Sequence, residues 1–334
     1  MKVGSPASMN DKKKNNSIYS LEGTEYDSRK LFKKQISLQV FVLVGIVYIF
    51  IFSYIPMFGL IMGFKDYDIV QGIPGIFTSK WVGLKYFIEF FSDINFTKLV
   101  RNTVCISVLK LIFTFPFPIL FALMLNDLRG IWFKKIVQTA SYLPHFISWV
   151  IISGISFRFL SSTGLVNELL MKIHLFSKPV EFLSSAKIYW GLAVFLDIWK
   201  EMGWWTIIFL AAIAGVNNDM NEAAEIDGAT RLQRIWYITL PTIRPTIVTV
   251  LILAMGNLFG GGLSGSNFEQ SYLLGNYMNA EASDIIQTYV FKVGLAQGRY
   301  AYATAVGMIQ SIISLILILA SNKISRKVAG SSLF

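Results

Sequence analysis

Six long apolar runs separated by polar connections dominate the chain, at about 37–63, 100–125, 139–160, 188–216, 241–262 and 301–321. A bilayer core about 30 Å thick needs roughly 20 helical residues at about 1.5 Å each, so each run is long enough to cross it. The pattern predicts an all-α integral membrane protein with six transmembrane helices. Pro56, Pro116 and Pro118 interrupt runs and predict kinked helices, because each frees a backbone carbonyl that neighbours must satisfy. Pro241 stands at the start of a run, where its missing N–H costs nothing.

Basic residues set the expected direction. Lys12, Lys13, Lys14, Arg29, Lys30, Lys33 and Lys34 precede the first run, and Arg129, Lys134 and Lys135 fill the second connection. Arg231 and Arg234 lie in the fourth connection, and Lys323, Arg326 and Lys327 follow the last run. The positive-inside rule places these segments and both termini in the cytoplasm. Connections 64–99, 161–187 and 263–300 then face outside. Residues 1–34 are polar and read as a mostly disordered arm, 35–322 as the membrane domain, and 323–334 as a cytoplasmic tail.

Composition agrees with a bilayer protein. Only 15% of residues are charged and 54% are hydrophobic, whereas a soluble domain carries roughly 25% charged residues. The net charge of +10 raises the question of nucleic acid. The Lys and Arg residues sit mainly in the arm and the connections, which is what membrane orientation requires. The single cysteine, Cys105, excludes an internal disulfide and sits within an apolar run. Trp81 and Trp190, at run ends, read as interfacial anchors.

The fourth connection, 217–240, carries the most specific local signal. Asp219 and Glu222 read as a capping box that starts a helix, and Gly228 can end it in a left-handed conformation. Thr230, with Gln233 three residues later, can cap a second short helix. The product is a cytoplasmic helix–turn–helix in which small Ala223 and Ala224 lie beside acidic Glu222 and Glu225.

Glu222-Ala223-Ala224, Asp227-Gly228-Ala229 and Leu240-Pro241 resemble the signature loop of binding-protein-dependent ABC importer permeases. In that family the loop is a coupling helix that docks on an ATPase subunit, which implies that role for Glu222, Ala223, Ala224, Asp227 and Gly228. Ser53-Tyr54-Ile55-Pro56-Met57, Phe64-Lys65-Asp66-Tyr67, Tyr142-Leu143-Pro144-His145-Phe146-Ile147-Ser148 and Thr288-Tyr289-Val290 are similar to the carbohydrate-uptake branch, in particular its complex-oligosaccharide subgroup. The run Gly260-Gly261-Gly262-Leu263-Ser264-Gly265 is richer in glycine than that pattern. The resemblance implies a heterodimer with a second, related permease, two ATPase subunits, and an extracytoplasmic sugar-binding protein that delivers the oligosaccharide. It also implies a multi-pass protein of the bacterial cytoplasmic membrane. ATP and Mg would be bound by the ATPase, so this chain would be no enzyme and hold no cofactor.

Ionisable groups inside a span are costly and by default face a cavity or a partner. Asp197, Lys200, Glu201 and Trp204 follow i, i+3, i+4, i+7 spacing and share one helix face. Lys110, Asn257 and Gln310 fall at comparable mid-run depth in three other runs. These seven residues are candidates for a hydrophilic substrate pathway, with Trp204 stacking on a sugar ring. A structural charge cluster, or a contact with the second permease, is the competing reading of Asp197, Lys200 and Glu201. Lys110 and Lys200 raise the expectation of an acidic sugar, against the alternative that they neutralise nearby carboxylates.

Other classes fit less well. His145 and His174 are the only histidines, and no His, Cys and carboxylate group has metal spacing. The Gly260–Gly265 run lacks the lysine of a nucleotide loop. A secondary transporter for a small polar solute is the alternative, but it calls for internal repeats and an ion relay, and no repeat is visible.

Overall fold

In the computed structural model, which describes residues 36–128 and 130–329, the regular elements are helical, and the one strand-like pairing is an isolated bridge between Lys65 and Trp81. The expected arm 1–34, Arg129 and the end of the tail lie outside the described residues. Four helices are long and apolar enough to cross a membrane: α1 (Leu38–Phe64), α2 (Phe96–Asn126), α7 (Arg231–Gly256) and α10 (Tyr300–Ala329). A bent pair, α3 (Ile131–Phe146) and α4 (Trp149–Phe159), meets at 101° and supplies a fifth if counted as one span. Helix α5 (Ala186–Ala214) has 29 residues, and three charged residues near its middle, Asp197, Lys200 and Glu201, set it apart from the four apolar spans. The chain is an all-helical membrane protein.

Among the described residues, those up to Gly59 form one compact unit and those from Leu60 onward another. The first is the apolar front of α1, whose last turns before Pro56 adopt π geometry over Phe50–Tyr54. Such a turn relieves the clash of a proline ring with the carbonyl four residues back. In the second unit α5 packs along the latter half of α2, which restarts at Pro116, and α7 packs along α10. Phe115, Ala122, Phe209, Ile213, Ile243 and Val250 form the core on that side. Ile106, Trp149, Ile152, Tyr189, Leu192 and Leu274 form another around the first turns of α5.

Four expectations are corrected. The run 139–160 is not a straight span. Pro144 sits in a 3-10 turn (Leu143–Phe146), Ile147 is extended, and Ser148 caps α4 by accepting the Ile151 N–H at 3.4 Å. A helix start signal inside an apolar run breaks it. The fifth run ends as helix at Gly256 rather than near 262. The fifth connection, 263–300, is not simply external: it holds α8 (Asn267–Leu274), whose Asn267 and Gln270 are bonded to Ser107 of α2 and Ala193 of α5. Trp190 is no free interfacial anchor, because its indole donates to the Ala282 carbonyl at 3.0 Å.

A tyrosine–carboxylate cluster joins the short helix Lys85–Phe91 to α9 (Ile286–Phe291) and the start of α10. Tyr289 and Tyr302 donate to Asp93, Tyr86 donates to Asp66 at 2.5 Å, and Arg299 pairs with Glu89. Burial first, then the facing carboxylate, pushes Tyr86 and Tyr289 each up to about 12. Both phenols therefore remain donors near neutral pH. Asp66 is held below the usual carboxylate range, chiefly by the Tyr86 hydroxyl.

Helix α5 approaches α3 so closely that a Cβ on Gly203 would lie 2.0 Å from the Ser141 carbonyl oxygen. Gly203→Ala is expected to force the two backbones apart, at a cost of at least about 1–3 kcal/mol. Thermal unfolding of the purified protein in detergent checks this, and an unchanged midpoint would contradict the close approach.

Candidate functional site

A buried ion pair lies at the centre of the second unit. Lys110 Nζ, from the middle of α2, is 3.1 Å from Asp197 Oδ1 of α5, with side chains 1% and 0% exposed. Ser266 completes a triangle, accepting from Lys110 at 3.1 Å and donating to Asp197 at 2.8 Å. Ser266 precedes α8, and its neighbour Asn267 donates to Ser107 of α2 at 3.1 Å. Gln270, one turn on, donates to the Ala193 carbonyl of α5 at 2.8 Å. The charges thus fasten a short helix into the bundle. They do not line an open cleft.

The next polar pair on α5 does. Lys200 and Glu201 lie in a cleft of 540 Å³ with His145, Phe146, Glu269 and Tyr272. Lys200 Nζ donates to the His145 carbonyl at 2.6 Å and stands 3.3 Å from Glu201 Oε1. The other Glu201 oxygen is 2.8 Å from His145 Nδ1. These contacts fix the 3-10 turn between α3 and α4 against α5. Trp204, one turn below Lys200, stacks on the His145 ring at 4.4 Å with a 2° interplanar angle, and Phe146 meets it edge-on. One indole face is therefore already covered.

The remaining candidates are elsewhere. Asn257 caps the glycine run, donating to the Gly262 carbonyl at 3.1 Å while its own carbonyl accepts from the Gly262 N–H at 2.9 Å. Gln310 lines a second cleft of 420 Å³ on the far side of α8, with Gln287, Phe291 and Thr304. Phe268 lines both clefts. The sequence reading missed Phe268, Glu269 and Tyr272, since α8 lay in a connection expected to be external. The available signal was Ser266-Asn267 beside an aromatic pair at i, i+4, uninformative without knowledge of depth. A groove of 560 Å³ between α4 and α5 is lined almost wholly by apolar side chains such as Ile152, Phe159 and Phe195. It offers little to a polar solute. Among the described residues no group of three or more His, Cys, Asp or Glu side chains is placed to hold a metal.

The helix–turn–helix stands at the far end of α5. Helix α6 (Asn218–Ile226) is capped by Asn217, which accepts the Asp219 N–H at 2.9 Å, so the Asp219–Glu222 box is not what starts it. Asn217 provides the same side-chain acceptor two residues earlier. Gly228 ends α6 at φ +80°, with Ala229 N–H bonded to the Ala224 carbonyl at 2.8 Å and Gly228 N–H to that of Glu225 at 3.1 Å. This six-to-one and five-to-two pairing is a Schellman cap. Thr230 and Gln233 form the expected capping box at the start of α7. Glu222, Ala223, Asp227 and Gly228 are exposed, Ala224 is half-buried, and Ile226 presents 86% of its surface. Arg234 pairs with Glu225 at 2.6 Å, and Arg231 with Asp127 at the end of α2 at 2.7 Å.

A helical membrane bundle with polar clefts inside it and a rigid, exposed hairpin at one end is the permease subunit of a transporter. The chain belongs to the family described as binding-protein-dependent transport system inner membrane component, whose profile matches residues 114–330. It is a multi-pass component of the inner membrane, and ATP hydrolysis in such a transporter belongs to a separate ATPase subunit. It is 43% identical over 291 residues to Protein LplB of Bacillus subtilis (strain 168), covering 87% of this chain and 88% of that protein. It is 42% identical over 298 residues to the polygalacturonan/rhamnogalacturonan transport system permease protein YteP of the same organism, covering 89% and 90%. Among solved structures, it superimposes with a TM-score of 0.81 at 37% identity, over 91% of this chain and 99% of the other, on a chain of a bacterial alginate ABC transporter in complex with an alginate pentasaccharide-bound periplasmic protein.

Removing one partner of a buried pair leaves an uncompensated charge. Lys110→Met is expected to destabilise the protein by about 3–5 kcal/mol, and Lys110→Met with Asp197→Leu to recover most of the loss. Thermal unfolding in detergent compares the two. A double variant no more stable than the single one would contradict the pairing.

Proposed function

We propose that this chain is one of two related permease subunits of an ATP-driven importer, and that it moves an oligosaccharide handed over by an extracytoplasmic binding protein. The observation that carries the reading is the cleft beside α8. Its ring-bearing walls, Phe146 and Tyr272, are 70% and 47% exposed, and Lys200, Glu201 and Glu269 lie among them. Aromatic faces beside hydrogen-bonding side chains suit the alternating apolar and hydroxylated surfaces of a sugar. A cleft exposed on one side calls for a second permease to close it. In this reading α5 and the bent α3–α4 pair complete six spans, and both termini face the cytoplasm. Lys110, Asp197, Asn257 and Gln310 shape the pathway from behind or beside the cleft. Glu222, Ala223, Ala224, Asp227 and Gly228 dock on one of two ATPase subunits, which bind ATP and Mg.

A carboxylated sugar is the substrate class that the relatives support, since polygalacturonan and alginate, an acidic polysaccharide, are the substrates in their names. Lys110 and Lys200 do not supply the counter-charge, because each is committed to a carboxylate of its own chain.

Mild-detergent purification through a tag on this chain is expected to recover a second permease and an ATPase, with hydrolysis stimulated by a sugar-loaded binding protein. A chain that purifies alone under several mild detergents would sink the reading. Gly228→Val should strain the left-handed turn. It is expected to reduce ATPase recovery and transport severalfold while membrane insertion stays intact. Normal recovery and transport in that variant would remove the hairpin from coupling.

A further inference from the structure

Helix α8 separates two clefts of different chemistry. The first holds Lys200, Glu201 and Glu269. The second contains no charged side chain and presents the amides of Gln287 and Gln310 with the Thr304 hydroxyl. Between them three rings touch one another. Phe268 and Tyr272 of α8 stack at 5.6 Å with planes 15° apart, and Phe291 meets them at 5.3 and 5.1 Å. Tyr272 is 47% and Phe291 36% exposed, so the cluster stops short of burying itself.

The second cleft has two further features. Gln287 Oε1 is buried without a hydrogen-bond partner among the described residues. A buried amide oxygen left unpaired costs about 1–3 kcal/mol, so its retention asks for a donor from elsewhere. The wall beside it, Lys292–Ala296, is a π-helical turn directly after Phe291, a geometry that recurs at functional sites. It widens the helix where Gly294 meets Ala303 of α10.

We infer that the Phe268–Tyr272–Phe291 platform and the Gln287 carbonyl form a second saccharide subsite, which receives the sugar units of a longer oligosaccharide that extend past α8 from the first cleft. The ligand class follows from the chemistry. Ring faces take the apolar face of a pyranose, an unpaired amide oxygen takes a hydroxyl donor, and the lack of charge leaves no partner for a carboxylate. Uronate groups therefore face away from this wall. The inference rests on the oligosaccharide reading above.

The test uses the complete transporter, reconstituted with its partner permease, ATPase and binding protein. Import of a disaccharide and a pentasaccharide, from both oligogalacturonides and arabino-oligosaccharides, is measured at saturating loaded binding protein. For Gln287→Leu and for Phe268→Leu the pentasaccharide-to-disaccharide rate ratio is expected to fall about fivefold, the size of one lost hydrogen bond or ring contact. A ratio equal to wild type in both variants would overturn the subsite while leaving the oligosaccharide reading intact. Loss of the partner permease from the purified complex would also overturn it, by making the platform a subunit contact. Import of neither sugar series by the wild-type transporter would overturn the oligosaccharide reading, and the subsite with it.

Discussion

The Lys110–Asp197 pair is the contact on which the interior arrangement depends. A charge at mid-span is costly wherever it stands, and a pair is tolerated only with good geometry and further hydrogen bonds. Ser266 supplies those bonds, and it is the residue before α8. Satisfying two charges in the bundle therefore requires the chain to turn back after Gly256 and bring a short helix inward. Once α8 is there, its own polar groups need partners, and Ser107 and the Ala193 carbonyl provide them. Nonhelical backbone at membrane depth is tolerated where protein buries it or a cavity receives it, and α8 has protein on one side and a cleft on each flank.

Helix α5 repeats this logic one turn further along. Lys200 and Glu201 spend their charge on His145, which holds the break between α3 and α4 in place, and Gly203 lets the two backbones come close enough for it. The charges that look most like substrate ligands in a linear reading are thus occupied by architecture. In the proposed importer, recognition then falls chiefly to the exposed rings, the neutral amides and Glu269. That division suits an importer, since strong charge pairing to the cargo would slow its release.

Local features were legible in the sequence, and long-range ones were not. Thr230 with Gln233, and the left-handed Gly228, declare themselves within a few residues, and both stand where expected. The apolar runs mark where helices lie because length and hydropathy suffice. The break at Ser148 was missed because a capping serine inside an apolar run looks like any small residue until the backbone turns. The Asp219 box lost to Asn217, a competitor two residues away with the same acceptor chemistry. Helix α8 was invisible for a different reason. Its anchor joins residues 69 and 156 positions apart, and no pattern along the chain encodes that meeting. Expected depth was also a poor proxy for a shared pocket: Asn257 and Gln310 belong to a turn and to a separate cleft.

One helix links the cleft to the hairpin. From Lys200 and Glu201, α5 runs without interruption to Ala214, and only Gly215, Val216 and Asn217 separate it from α6. Val216 is buried in the same core as Phe209 and Ile213, so this joint is packed rather than slack. Arg231 ties the second arm of the hairpin to Asp127 at the end of α2, and α7 continues from it along α10. In the proposed importer, a displacement of the hairpin reaches the cleft through α5, the Lys110 helix through Asp127, and the second cleft through α7 and α10. These routes converge on α8, because it is bonded to α2 and α5 and shares the Phe268–Phe291 contact with the segment leading into α10. Helix α8 is therefore where the proposed routes from the hairpin meet the wall that both clefts share.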